Sequence, residues 1–119
     1  AHARWQPETY CYLFTWESPA MGGALGACHA VEIPFALGNL EVAGMDRFAG
    51  SGPEAVALSE QMMEAWIGFA RSGSPSHPGI PPWPTYEEVT RSTMVFGPTT
   101  RVEDAPMEAE RALWDEVGA

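Results

Sequence analysis

Apolar positions recur along this chain at two different periods, and the change of period divides it into elements. From Thr9 to Trp16 the run Thr-Tyr-Cys-Tyr-Leu-Phe-Thr-Trp carries no charge and is dense in aromatic side chains. Such side chains suit a pleated surface, and proline at the closing Glu17-Ser18-Pro19 ends any ladder, so the run predicts a strand. Alternation puts Tyr10, Tyr12, Phe14 and Trp16 on one face and Cys11 and Leu13 on the other. Both faces are apolar, which predicts a central strand of a sheet covered on both sides. Gly22, Gly23 and Gly26 follow, and Pro34 limits any helix beyond them, so residues 20–40 read as a structured loop with a short helical turn.

The period then changes to that of a helix. Leu58, Met62, Trp66 and Phe69 stand four, four and three residues apart, with Met63, Ile67 and Ala70 widening the stripe, which predicts an amphipathic helix from about Pro53 to Arg71. Ser72-Gly73-Ser74-Pro75 stops it, with Arg71 in the last turn and Gly73 as a left-handed cap. Five prolines between Pro75 and Pro84 predict an extended surface crossing that includes Trp83. Thr93-Met94-Val95-Phe96 before Gly97-Pro98 reads as a short strand. Pro106 to Val117, led by Asp104 and carrying Leu113, Trp114 and Val117 on one side, reads as a terminal helix. No internal repeat is visible.

Composition narrows the chemistry. The chain has 119 residues, 45% hydrophobic and 18% charged, enough for one modest domain. Sixteen acidic against six basic residues give a net charge of -10, which repels phosphate backbones and anionic headgroups, so neither nucleic acid nor membrane is an expected partner. All six basic residues are arginine, and without lysine there is no Schiff-base chemistry and no phosphate-binding Walker lysine. Twelve glycines and eleven prolines indicate many loops, while five Trp and five Phe exclude a disordered chain. Cys11 and Cys28 form one disulfide at most and read as reduced core thiols, which leans towards the cytoplasm. A start on Ala1 with no initiator Met fits a processed or truncated polypeptide, so localisation is left unassigned.

Imidazole titrates nearest neutral pH, which makes His2, His29 and His77 the first candidates for acid and base work. His2 stands at a chain end and His77 in the proline crossing, both places where mobility is expected. His29 follows a strand through a Gly-rich loop, where α/β scaffolds place reactive groups, although a satisfied structural histidine fits the same pattern. Cys28 lies beside it, yet adjacent side chains diverge, and nucleophile pairs are assembled by folding rather than by adjacency. Glu32 lies between Val31 and Ile33, as an acid held by hydrogen bonds in an apolar stretch or as the wet face of a short helix. Cys11, Cys28, His29 and His77 lack finger-like spacing, so no metal is expected. Met62, Met63 and Trp66 read as core packing rather than a cofactor box, and no cofactor is expected. No Gly-x-Ser-x-Gly elbow, Gly-x-Gly-x-x-Gly turn or Walker loop occurs, so no complete active site is encoded.

Taken in order, Tyr12-Leu13-Phe14 and then Gly26-Ala27-Cys28-His29-Ala30-Val31-Glu32-Ile33-Pro34-Phe35-Ala36-Leu37-Gly38-Asn39-Leu40 resemble the histidine segment of the type-B carboxylesterases. These are the α/β-hydrolase family of para-nitrobenzyl esterases and cholinesterases. Leu58-Ser59, Met62, Trp66, Phe69-Ala70 and Gly73, then Trp83-Pro84-Thr85-Tyr86 and Thr93-Met94-Val95-Phe96-Gly97, continue the likeness over nearly the whole chain. The resemblance implies an α/β class in which residues 1–119 form the C-terminal part of one α/β-hydrolase domain. The pieces run strand, histidine loop, amphipathic helix, short strand, terminal helix.

It further implies that His29 is the general base of a Ser-acid-His triad. Glu32 would be a supporting buried acid near it, distinct from the triad acid. Because serine, acid and histidine follow in that chain order, the nucleophile elbow would lie upstream of Ala1, and the chain alone would be inactive. The implied reaction is hydrolysis of small-molecule carboxylic esters by acyl transfer. The expected partner is the upstream part of the same esterase, because the first strand needs parallel neighbours that this chain is expected to lack. Two other readings stand beside it. One is a non-catalytic esterase-like interaction module, the other an independent small acidic binding domain using Trp83 and the proline crossing.

Overall fold

A computed structural model describes residues 2–118. Its elements in chain order are β1 (Tyr12–Phe14), α1 (Ile33–Ala36), α2 (Met45–Phe48), α3 (Pro53–Ser72), β2 (Ser92–Phe96), β3 (Arg101–Asp104) and α4 (Glu108–Glu116), with short 3-10 turns at His2–Arg4 and Ala20–Gly23. The sheet order is β1-β2-β3. β1 runs parallel to β2 in the register Tyr12↔Met94, Leu13↔Val95 and Phe14↔Phe96. β2 and β3 form an antiparallel hairpin from Ser92↔Asp104 to Val95↔Arg101. A parallel pair cannot be closed by a tight turn, and the long connection through α3 supplies the required crossover.

The buried central strand is β2, not β1. All five residues of β2 are buried, whereas Tyr12 on β1 is 39% exposed. The aromatic run Thr9 to Trp16 forms only a three-residue strand, since β2 lies along one of its sides and no described strand pairs the other. The expectation that this strand lacks parallel neighbours therefore holds on one edge only. Met94 and Phe96 of β2 join the core beneath α3 with Leu58, Met62, Ala65, Ile80 and Trp83. α4 lines a cleft with Cys11, Leu13 and Thr93, whose side chains alternate to the opposite face of the sheet.

α3 matches the predicted helix within one residue, and Gly73 caps it at φ 77° with its N–H on the Phe69 carbonyl at 2.8 Å. Its buried face comprises Ala55, Leu58, Ser59, Met62 and Ala65. Phe69, the last residue of the predicted stripe, and Ile67 and Ala70, which widen it, remain exposed. Gly38 is needed for close approach: it sits at φ 66°, and a Cβ there would come within 2.5 Å of the Met63 sulfur.

Three further expectations are corrected. The proline crossing has no regular element, yet Trp83 within it is only 6% exposed and packs edge-on against Tyr10 and Phe96. Its indole N–H donates to the Cys11 carbonyl at 3.2 Å, so it is a core residue rather than part of a surface crossing. Asp104 does not cap the terminal helix, because it closes β3 and accepts from the Ser92 hydroxyl at 2.6 Å; Met107, at φ 56°, holds the cap position. The cysteines are free but half-buried rather than core thiols.

α4 buries none of its residues; Glu108 meets Arg91, outside the helix, at 2.8 Å and Arg111, within it, at 2.7 Å. Such surface pairs contribute about 0 to 1 kcal/mol each. The radius of gyration, 15.4 Å, exceeds the roughly 13.5 Å expected of a compact domain of this length, and the extents of 41 × 36 × 20 Å describe a slab.

Phe35 ties the layers together. Fully buried, it touches Phe14 and Trp16 of the strand segment through its ring, while its carbonyl accepts from Ser59 of α3 at 2.8 Å. Phe35→Ala is expected to cost about 3 to 5 kcal/mol in denaturant unfolding. Leu37→Ala, one turn-half away and exposed, should stay within about 0.5 kcal/mol, and equal losses would contradict the packing described.

Candidate active site

The route from β1 to His29 is folded back on itself. Beyond Phe14, the Thr15 N–H donates to the Phe96 carbonyl at 2.7 Å and the Trp16 indole N–H to the Ala49 carbonyl at 2.8 Å. Ser18, fully buried, gives its hydroxyl to the Phe48 carbonyl and its N–H to the Gly26 carbonyl at 2.9 Å. This last bond closes the Gly-rich loop, so His29, three residues past Gly26, emerges beyond the carboxyl end of parallel strand β1. In parallel sheets that end is where ligands and reactive groups gather.

His29 and its neighbours alternate between water and core. His29 is exposed, Val31 is 1% exposed and Phe35 is fully buried. Between His29 and Val31, Ala30 takes the left-handed conformation at φ 68°, unusual for a residue with a Cβ. Turn bonds hold it there: the Val31 N–H reaches the Cys28 carbonyl and the Ile33 N–H the Ala30 carbonyl, each at 3.3 Å. The buried anchors on one side and the Ser18 bond on the other thus present the imidazole outward. Neither ring nitrogen has a hydrogen-bond or ion-pair partner among the described residues, which leaves one nitrogen for a nucleophile and one for an orienting acid.

Glu32 precedes α1, and its carbonyl accepts from the Phe35 and Ala36 amides at 3.1 and 3.0 Å. Its carboxylate is half-buried rather than buried and makes no capping bond. Its charge nonetheless reaches Tyr12: the phenol is held above its ordinary 10.0 first by burial and then by the negative charges of Glu32 and Cys11. The structure thus brings Glu32 towards β1. It forms no ion pair between Glu32 and His29, and Cys28 makes no pair with the imidazole.

The other sequence candidates lie elsewhere. His2 lies in an N-terminal 3-10 turn and lines an open aromatic cleft of about 490 Å³ with Tyr10, Tyr12, Trp66, Phe69 and Trp83. His77, expected to be mobile, is pinned against α3. Among the described residues no group of three His, Cys, Asp or Glu side chains is placed to hold a metal ion, and no helix is long and apolar enough to cross a membrane. The positioning residues Ser18, Trp16 and Ser59 carried no signal of their role in the sequence, since each acts through a backbone carbonyl far along the chain.

The carboxylesterase family model matches residues 1–114. Over 88 residues the chain is 39% identical to phenmedipham hydrolase of Pseudarthrobacter oxydans, covering 72% of this chain and 18% of that protein. Over 104 residues it is 36% identical to para-nitrobenzyl esterase of Bacillus subtilis (strain 168), covering 86% and 20%. Among solved structures, a Geobacillus stearothermophilus carboxylesterase superposes with a TM-score of 0.74 at 39% identity, covering 88% of this chain and 21% of that one. An esterase from anaerobic Clostridium hathewayi superposes at 0.77 and 31% identity, covering 90% and 21%. The chain spans about a fifth of the length of these relatives. The fold is accordingly a partial α/β-hydrolase segment.

Glu32 and Tyr12 give a direct check on the site. Since the folded phenol holds its proton above the unfolded value of 10.0, stability is lost as pH rises from that value through the folded one. Glu32→Gln removes one cause of the shift and should move tyrosinate formation at Tyr12 to lower pH, read by ultraviolet absorbance as the difference from a Tyr12→Phe control. An unchanged titration would place the Glu32 charge away from the phenol.

Proposed function

From the premise that this chain belongs to the carboxylesterase family, type B, we propose that it supplies the histidine of a serine carboxylesterase. The observation that carries the reading is His29 itself: exposed, without a partner among the described residues, and set beyond the carboxyl end of β1 by the Ser18–Gly26 bond. In this reading residues 1–119 are the C-terminal segment of a single α/β-hydrolase domain. Serine, triad acid and oxyanion donors come from the remainder of that domain, which precedes this segment. The open edge of β1, the slab shape and the uncovered apolar face of α4 support a segment that packs against further polypeptide.

The chemistry assigns His29 four proton transfers, two in each half of the reaction. The serine hydroxyl attacks the ester carbonyl while His29 takes its proton, and backbone N–H groups stabilise the oxyanion. His29 then returns that proton to the departing alcohol as the acyl-enzyme forms. In the second half it takes a proton from water, which attacks the acyl carbon, and gives it back to the serine oxygen as the carboxylic acid leaves. Glu32 supports the site as a nearby negative charge and is not the triad acid. Carboxylic esters of small molecules are the substrate class. The named substrates of the relatives, a phenmedipham and a para-nitrobenzyl ester among them, are first compounds to assay.

In the full-length protein, His29→Ala should lower kcat by about 10⁴-fold or more with KM changed only a few-fold, measured on an aryl ester. The 119-residue chain by itself should show no such turnover. Hydrolysis by the isolated chain at an ordinary enzymatic rate, abolished by His29→Ala, would overturn the segment reading.

A further inference from the structure

The ester chemistry leaves His77 unused, yet this side chain is among the most constrained titratable groups of the molecule. It lies in the proline crossing with only 11% of its side chain exposed. Nε2 is 3.0 Å from the Gln61 backbone carbonyl on α3. A carbonyl oxygen only accepts, so Nε2 carries its hydrogen whether the ring is neutral or charged. The Gln61 side chain is itself fixed, because its Oε1 accepts from the Thr100 hydroxyl in the turn between β2 and β3.

Nδ1 faces two groups with opposite demands. The Gly79 N–H lies 3.1 Å away and needs a lone pair on Nδ1. The Glu64 carboxylate Oε2 lies 2.9 Å away and needs a proton there. No single state of the ring satisfies both, but each of its two states satisfies one. Among the described residues Glu64, on α3, is the charged side chain within ion-pair reach of the ring. The crossing contributes only the uncharged Ser76, Pro78 and Gly79 beside it, and the β2–β3 turn contributes uncharged Thr100 through Gln61.

We propose that His77 is a proton-operated latch for the turn at residues 78–80. Neutral, it holds the turn by accepting from the Gly79 N–H. Protonated, it lets that N–H go to water and donates Nδ1–H to Glu64 instead. Nε2–H stays on Gln61 in both states and the Ile80 N–H keeps its bond to the His77 carbonyl at 3.3 Å, so the crossing remains docked on α3 while only the Gly79 amide is released. Ile80, at 8% exposure, keeps the end of the turn in the core, which confines the opening to Pro78 and Gly79.

The test uses the full-length protein labelled with 15N at histidine and glycine. At high pH the His77 nitrogens should report the Nε2–H form. On acidification the Gly79 amide should shift with the same midpoint as the ring, and its exchange protection should fall by about tenfold, the worth of one hydrogen bond. A neutral ring carrying its hydrogen on Nδ1, or a Gly79 amide indifferent to the His77 titration, would overturn the latch. In His77→Gln the pH response of Gly79 should vanish, and its survival would assign the response to another group. Should that variant fail to fold, the tautomer and midpoint in the unmodified protein decide alone.

Discussion

The structure depends on one buried strand. Among the described residues β2 is the only strand buried throughout, and both neighbours take their register from it, β1 in parallel and β3 antiparallel. A parallel partner forces a long crossover, and burial of Met94 and Phe96 forces that crossover to lay an apolar helix face on the sheet. α3, α1 and Trp83 meet this demand together. Phe35 is the point at which the demand reaches the histidine loop: its ring packs on the strand segment and its carbonyl on α3, six residues after His29. The position of the candidate base is therefore a consequence of how β2 is covered.

What was legible in the sequence follows from how local each signal is. α3 and its glycine stop were readable because helix period and cap chemistry are properties of neighbouring residues. The Thr93–Phe96 strand was readable for the same reason. The rank of the strands was not, since the aromatic density of residues 9–16 promises burial on both faces, but burial is granted by partners, and this run has one only on a single edge. β3, Arg-Val-Glu-Asp, has no apolar pattern to predict it; it becomes a strand because the hairpin turn returns it to β2, and its charges suit an edge. α2 is too short for a periodicity to show.

The site divides in the same way. A loop after a strand marked His29 as a place for chemistry, yet residue types alone favoured a structural histidine, and only the ordered resemblance implied a role for it. What holds it could not be read: the Ser18 bonds to Gly26 and Phe48 and the Trp16 bond to Ala49 are made to backbone carbonyls, which have no sequence signature. The strained Ala30 was equally silent, because its left-handed conformation is imposed by the buried Val31 on one side and the turn bonds on the other.

Tyr12 connects the open edge of the sheet to the candidate site. Its ring walls the aromatic cleft and meets Trp66 edge-on at 5.1 Å, its backbone lies on the strand whose outer side has no described partner, and its phenol feels the Glu32 charge. Any polypeptide that covers this edge removes water from the phenol and from its surroundings. Loss of water strengthens the interaction between the phenol and the carboxylate, because the screening that weakens it is withdrawn. Completing the sheet and holding the proton on Tyr12 are therefore one physical event, acting through a residue that belongs to both the edge and the neighbourhood of Glu32.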